Sequence, residues 1–206
     1  MKVKHSVNSS SFNWFQPIPE VLPNQIRQDL LEISADLSLP WRSYTPETLQ
    51  SSPDKFIDRG RRSLNIHQHY RQFHEWFENS NLFQSLDRNS ITENLTLPSM
   101  ISVLFDSGKH SMGIQPHTDR ACSQTRWKQL RFNFMVQNAE HGGNPIINDQ
   151  MLTIPDNHGW YLFATDQNHR ALPVKGDRER IILSLAYYID PAYIPEAKQI
   201  LTSSTK

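Results

Sequence analysis

The chain has 206 residues, of which 21 are Lys or Arg and 21 are Asp or Glu, so its formal net charge is zero. This length suits a single domain with a substantial buried core. A nucleic-acid-binding protein usually carries a strongly basic surface, which this composition does not supply. No stretch approaches the ~20 apolar residues that span a bilayer. We therefore expect neither nucleic acid nor a membrane as a partner.

Cys122 is the only cysteine of the sequence. An intramolecular disulfide is therefore impossible, and the chain suits a reducing compartment. The first residues also lack the apolar core of a secretory signal peptide. The sequence predicts a cytoplasmic protein.

Residues 1–97 are predicted to be mostly helical. Apolar residues recur at helical spacing after Pro23-Asn24, a plausible start of a helix, and again in a second segment. The first set is Ile26, Leu30, Ile33 and Leu37, and the second is Ile66, Tyr70, Phe73 and Phe77.

Three histidines lie on or near the second predicted helix, namely His67, His69 and His74. They are candidate metal ligands, but no carboxylate or fourth ligand accompanies them at ligand spacing. We therefore interpret them as packing or solvent-side residues.

Residues 98–190 are predicted to be short strands with turns between them and no intervening helix. Such a pattern is typical of an antiparallel sandwich or barrel. The strand segments are Met100 to Phe105, Leu130 to Val136, Ile146-Ile147, Met151 to Ile154, Trp160 to Phe163 and Ile181 to Ile189. With residues 191–206 as a C-terminal tail, the fold class is α+β but mainly β, a jelly roll backed by N-terminal helices within one domain.

A His117-Thr118-Asp119 triplet is followed 52 residues later by His169. Two imidazoles and one carboxylate are the set that holds a non-haem Fe(II) on one face and leaves the other face open. Residues two apart on an extended segment point the same way, so one strand end can supply both His117 and Asp119. The sequence predicts a metal site formed by His117, Asp119 and His169.

The segment around Arg131 alternates polar and apolar side chains. Arg131 and Asn133 share one face of the strand, and Phe132 and Phe134 share the other. If the phenylalanines pack under the helices, the polar pair faces the cavity; the alternative is that Arg131 lies on a solvent face.

The order of these features resembles the 2-oxoglutarate/Fe(II)-dependent dioxygenase superfamily, whose fold is the double-stranded β-helix, a cupin-like jelly roll. The resemblance covers about residues 98–190. It is carried by Gln115 to Asp119, by His141-Gly142-Gly143, by Trp160 to Phe163 with His169 to Val174, and by Arg178 to Leu185.

The resemblance implies the roles of several residues. His117, Asp119 and His169 would bind Fe(II), and an arginine opening the last strand would pair with the C5 carboxylate of 2-oxoglutarate. Arg178 and Arg180 both qualify, and we prefer Arg180 because it directly precedes the apolar run Ile181 to Leu183.

Three further side chains are assigned to the pocket on the same basis. Ser184 shares the Arg180 face and would add a hydroxyl contact. Arg131, with Asn133 beside it, would contact a carboxylate of the cosubstrate or the substrate. With an arginine in this strand, the sequence resembles the members of the superfamily that hydroxylate free amino acids and related small acids.

The expected reaction is hydroxylation of an unactivated C–H bond of an amino acid, a peptidyl residue or a similar small metabolite. O2 and 2-oxoglutarate would be consumed, and succinate and CO2 released. Asp119 favours hydroxylation or desaturation, since the related halogenases have a small residue at that position. The alternatives are a cupin-type metal-dependent isomerase or small-molecule-binding protein without 2-oxoglutarate chemistry, and an inactive binding domain.

Overall fold

A computed structural model describes residues 16–42, 60–66, 70–93, 99–108, 113–123 and 125–203. Within these ranges there are four α-helices and thirteen strands. The helices are α1 Asn24–Ala35, α2 Arg71–Glu78, α3 Asn81–Gln84 and α4 Ile194–Ser203. The strands are β1 Gln16–Val21, β2 Arg61–Asn65, β3 Ile91–Glu93, β4 Met100–Leu104, β5 Ile114–His117, β6 Lys128–Gln137, β7 His141–Gly142, β8 Pro145–Ile147, β9 Gln150–Met151, β10 His158–Phe163, β11 His169–Ala171, β12 Val174–Lys175 and β13 Arg180–Ile189.

Two antiparallel sheets form the body of the molecule. The larger has the strand order β1-β10-β6-β13-β4-β2, with β3 pairing β13. The smaller has the order β5-β11-β8-β9, and β12 pairs β7 separately. This arrangement confirms the predicted fold class, a mainly β jelly roll with helices against it.

The two faces of the larger sheet have different partners. Phe132, Phe134, Leu183 and Leu185 belong to the main apolar core, together with residues of all four helices. Met135 and Ile182 lie on the other face and pack with residues of β8 and β10. Because side chains alternate along a strand, β6 and β13 each present one row to the helices and one row to the space between the sheets.

The N-terminal part contains more strand than its sequence pattern indicates. β1, β2 and β3 all belong to the larger sheet, although residues 1–97 are predicted to be mostly helical. These strands are only three to six residues long, too short to give a clear alternating pattern. The predicted C-terminal tail contains α4, whose Leu201 is buried.

The predicted helices are present with changed limits. α1 begins at Asn24, directly after Pro23, as predicted, but ends before Leu37, which is exposed. α2 begins at Arg71, so Ile66 and Tyr70 precede it. Ile66 instead continues the pairing of β2 with β4, since its backbone N–H donates to the carbonyl of Ser99, beside β4.

No helix among the described segments is both long enough and apolar enough to cross a bilayer.

Candidate metal centre and its pocket

His117 and His169 are direct cross-strand partners. β5 pairs antiparallel with β11, and His117 lies opposite His169 in that register. The two ring centroids are 4.2 Å apart. Asp119 follows β5 by two residues, and its backbone N–H donates to the carbonyl of Ala164, at 2.8 Å. These hydrogen bonds thus bring His169 next to His117 and Asp119, which lie 52 and 50 residues before it in the sequence.

Both imidazoles are oriented by backbone carbonyls. Nδ1 of His117 lies 2.8 Å from the carbonyl oxygen of Gln115, and Nδ1 of His169 lies 2.9 Å from that of Gln167. An Nδ1–H tautomer donates to these carbonyls and leaves the Nε2 lone pairs available. Each Nε2 faces Oδ1 of Asp119, at 3.7 Å from His117 and 4.0 Å from His169.

The other carboxylate oxygen of Asp119 is bound to Arg131. Nε of Arg131 donates to Oδ2 of Asp119 at 2.6 Å. The same guanidinium donates to Ser184 Oγ at 3.2 Å and to Gln129 Oε1 at 3.3 Å. With Oδ2 occupied, Asp119 offers one oxygen, Oδ1, on the side of the histidines.

The surroundings set the charge of these groups. Burial acts to raise the pKa of Asp119, but Arg131 and the two histidines outweigh it, so the pKa is lowered. Burial, followed by the proximity of His117, lowers the pKa of His169 to about 4. Asp119 is therefore an anion and His169 is neutral near pH 7, which are the states that bind a metal ion.

The three ligand atoms lie within 4.8 Å of one another. Two imidazoles held by backbone carbonyls and one carboxylate held by Arg131 fit a divalent transition metal. His117 is partly exposed, so the side of the site away from Arg131 is accessible.

The metal site opens into a cavity whose volume is about 110 Å³. The cavity lies between the two sheets. The polar residues that line it besides the three ligands are Arg61, Ser102, Arg131, Asn133, Arg170, Arg180 and Ser184. The even-numbered residues of β13 and the odd-numbered residues of β6 thus share this face, as the sequence pattern predicts.

Arg178 and Arg180 have different environments. Arg178 is half exposed, and its Nη2 donates to Oδ2 of Asp156 at 2.7 Å. Arg180 is 3% exposed and lines the cavity. Burial, with a smaller effect of Arg61, lowers its pKa to about 9, so it still carries a positive charge near neutral pH.

Arg180 is packed closely against a glycine. Gly143 has φ +71°, and a Cβ at this position would lie 2.9 Å from Cδ of Arg180. A larger residue there would be strained and would displace the arginine. Gly143 therefore makes room for the Arg180 side chain.

The candidate ligands near the second helix are only partly described. His67 and His69 lie outside the described residues. His74 is fully buried, with Nδ1 3.2 Å from the hydroxyl of Tyr187. Nδ1 of His74 also lies near Glu78 and Glu93, and these three residues form a second group that could hold a metal ion by distance. Both carboxylates, however, already pair with Arg71.

Several residues of the site are missed by the sequence analysis. Gln129 accepts from Arg131 and donates to the carbonyl of Arg120 at 2.7 Å. Gln129 is two residues before Arg131 and therefore lies on the same face of β6, so the alternating pattern could have indicated it. Arg61 lies on β2, a strand that the sequence pattern does not reveal. Ser102 lies on β4, and the sequence of β4 alone does not show which of its faces turns to the cavity.

Replacement of Arg131 by leucine tests its contact with Asp119. The variant leaves Asp119 without its closest partner in a buried site, so its pKa should rise. We expect the affinity for Mn(II) to fall roughly ten- to a hundredfold, as for other supporting partners of metal ligands. Titration calorimetry measures the effect. The matched control is Arg178→Leu, which removes a surface guanidinium. An unchanged Mn(II) affinity in Arg131→Leu would contradict the role given to the ion pair.

Comparisons with known proteins support the fold. No family model matches the chain, and no curated protein matches it either. Solved structures do match. One is a prolyl hydroxylase from Trichoplax adhaerens in complex with a hypoxia inducible factor oxygen degradation domain peptide. It is 14% identical with a TM-score of 0.62, over 92% of this chain and 87% of that chain.

Two further structures are similar. The non-heme alpha ketoglutarate dependent epimerase SnoN from nogalamycin biosynthesis is 11% identical with a TM-score of 0.59, over 85% of this chain and 78% of that one. The viral collagen prolyl hydroxylase of Paramecium Bursaria Chlorella virus-1, in its 2OG complex, is 12% identical with a TM-score of 0.51, over 87% of this chain and 97% of that one. The predicted resemblance is thus confirmed at the level of the fold, which this chain shares with 2-oxoglutarate-dependent enzymes.

Proposed function

We propose that the chain is a non-haem Fe(II)/2-oxoglutarate-dependent dioxygenase. It would hydroxylate an unactivated C–H bond of an amino acid, a peptidyl residue or a similar small metabolite, with succinate and CO2 as co-products. The observation that carries the proposal is one cavity with two ends. Three groups that could hold a metal lie at one end, and the buried Arg180 lines the same cavity, where its Nε and Nη1 have no acceptor among the described residues.

His117, Asp119 and His169 would hold the iron, which together with 2-oxoglutarate supplies oxidative chemistry with O2. Other residues of the chain orient these ligands. The carbonyls of Gln115 and Gln167 fix the two imidazoles. Arg131 keeps Asp119 ionised and limits it to one ligand oxygen. A metal held by these three groups alone would keep other coordination positions for small molecules.

Arg180 would bind the far carboxylate of 2-oxoglutarate. A guanidinium remains charged in a buried site and presents a planar fork that matches a carboxylate. Arg178 is already paired with Asp156 at the surface, so we assign it no part in binding. Asn133 and Ser184 lie opposite each other on β6 and β13 and line the cavity, where they would contact the bound acid.

Arg131 would act on the acid indirectly. Its donors at Nε, Nη1 and Nη2 each have a protein acceptor. We therefore propose that Arg131 positions the ligand Asp119. Through Ser184 it would also position the bound cosubstrate. It would not bind a substrate carboxylate by itself. The chain would act in a reducing compartment such as the cytoplasm, which suits a sequence with a single cysteine and an Fe(II) site.

The experiment that tests the function is a screen for succinate formation stimulated by substrate. Free amino acids and short peptides, including proline-containing ones, are supplied with Fe(II), ascorbate and 2-oxoglutarate. We expect one class to stimulate succinate release and to gain the mass of one oxygen atom. Asp119→Ala is the inactive control.

Other outcomes separate the alternatives. A product of unchanged mass and altered stereochemistry, formed with succinate, would indicate epimerisation on this fold. A product that has lost two hydrogens would indicate desaturation. Metal binding with no affinity for 2-oxoglutarate would reject the proposal in favour of a cupin-type isomerase or a binding protein.

A further inference from the structure

A second arginine lies in the same row as Arg180. On the larger sheet, Leu104 of β4 is the register partner of Arg180 on one side and of Arg61 on the other. Directly opposed residues of antiparallel strands project from the same face. Two strand spacings put the Arg61 and Arg180 backbones ~10 Å apart. Both side chains therefore flank Leu104, and both line the cavity.

The next row towards the metal site contributes a hydroxyl. Ser102 is the register partner of Ile182, two residues beyond Arg180 on the same face. Ser102 is 7% exposed and lines the cavity. Its hydroxyl has no hydrogen-bond partner in the part of the chain that the structure describes.

Arg180 is incompletely bonded in the same way. Its Nε and Nη1 are buried and have no acceptor among the described residues. Buried donors almost always find a partner, and an unmade bond to a charged group is costly. The close packing of Gly143 against Cβ and Cδ of Arg180 also restricts the directions in which this side chain can turn. Its donors are therefore fixed towards an acceptor that enters from the cavity.

Arg61 adds like charge to this end of the cavity. Its proximity is the second cause, after burial, of the lowered pKa of Arg180. Two guanidiniums that affect each other in a partly desolvated space are both stabilised by an anion placed between them. A carboxylate suits this position, since its two oxygens together accept about four hydrogen bonds.

We propose that Arg61, Ser102 and Arg180 together bind the distal carboxylate of the cosubstrate, and that Arg61 determines specificity for a dicarboxylic 2-oxo acid over a monocarboxylic one. The inference rests on the proposed function. Arg180 would approach one carboxylate oxygen from β13 and Arg61 the other from β2, with the Ser102 hydroxyl between them. Arg61 would thus be a cosubstrate-binding residue supplied by the N-terminal part of the chain.

The test compares two ligands of equal carbon number. Titration calorimetry measures binding of 2-oxoglutarate and of 2-oxopentanoate, which lacks the distal carboxylate, to Mn(II)-loaded protein without O2. In Arg61→Met we expect the affinity for 2-oxoglutarate to fall roughly ten- to a hundredfold, the range for a lost hydrogen bond to a charged group. The affinity for 2-oxopentanoate should be unchanged. Ser102→Ala should show a smaller loss with the same selectivity.

Arg62→Met is the matched control. Arg62 is the next residue of β2 and points the opposite way, where it donates to Glu179 at 2.8 Å and lies over the Trp41 ring. Its loss removes the same charge from the same strand but should leave both affinities as in the wild type. Arg61→Lys should recover part of the 2-oxoglutarate affinity, because the charge is kept and the fork is lost.

The outcomes separate this inference from the proposed function. If Arg61→Met binds 2-oxoglutarate like the wild type, or loses affinity for both ligands equally, Arg61 has no selective role and the inference is overturned. If the Mn(II)-loaded wild-type protein binds no 2-oxoglutarate at all, the proposed function itself fails. Loss of selectivity in Arg61→Met, with Arg62→Met unaffected, supports both.

Discussion

Replacement of Asp119 by alanine is expected to abolish succinate formation. The variant removes the only anionic ligand of the three, and Oδ1 of Asp119 is the oxygen that both imidazoles face. We expect the Mn(II) or Fe(II) affinity to fall below detection in a calorimetric titration. Turnover of 2-oxoglutarate should fall to the rate without enzyme.

The same substitution also leaves Arg131 without its ion-pair partner. Arg131 is buried, and an uncompensated buried charge costs about 3–5 kcal/mol of folding free energy. A loss of activity must therefore be separated from a loss of stability. Circular dichroism and the thermal midpoint report the fold of each variant.

The double variant Asp119→Ala/Arg131→Leu is the control for stability. It removes both charges, so we expect it to regain stability relative to Asp119→Ala while still failing to bind the metal. Wild-type turnover in either variant would refute the metal assignment.

Substitution of Arg180 by methionine is expected to raise the 2-oxoglutarate concentration needed for half-maximal rate by orders of magnitude. The variant keeps the bulk of the side chain but leaves the distal carboxylate without its main partner in a desolvated cavity. The loss of one member of such a buried charge pair costs ~2–5 kcal/mol, or roughly tens- to thousands-fold in affinity. Steady-state kinetics with varied 2-oxoglutarate measure the effect.

Arg178→Met is the natural control for this substitution. The two arginines are two residues apart, but Arg178 is half exposed and bound to Asp156, whereas Arg180 is buried in the cavity wall. We expect Arg178→Met to leave the 2-oxoglutarate requirement nearly unchanged. A larger effect of Arg178 than of Arg180 would place the cosubstrate differently from our proposal.

The long strands could be predicted well because both of their faces are constrained. Along β6 and β13, residues of one parity are apolar and pack against the helices, while Arg131, Asn133, Arg180 and Ser184 occupy the other parity. The alternation from Leu130 to Val136 identified Arg131 and Asn133 as sharing one face of β6, but it left open whether that face turns to the cavity or to solvent.

Contacts between distant segments could not be predicted in the same way. Arg61 is a candidate only because β2 pairs with β4, and nothing within residues 61–65 indicates that partner. The Arg131–Asp119 pair depends on the path of the chain after β5. In both cases the sequence specifies the residue type, while the neighbour is set by sheet register, which a local pattern does not contain.

The pairing of His117 with His169 across β5 and β11 has a consequence for how this protein can change. The short pairing of β5 with β11 holds both residues, so their distance from each other does not depend on the number of residues between them in the sequence. The turn Asn148-Asp149, with both residues at positive φ, joins β8 to β9, and β8 is the strand next to His169. Extra residues inserted at this surface turn would cost little closure entropy. If Asn148 keeps its hydrogen bonds to Asn168, we expect residues added after it to alter the rim of the cavity while the pairing of β5 with β11 keeps His117 opposite His169.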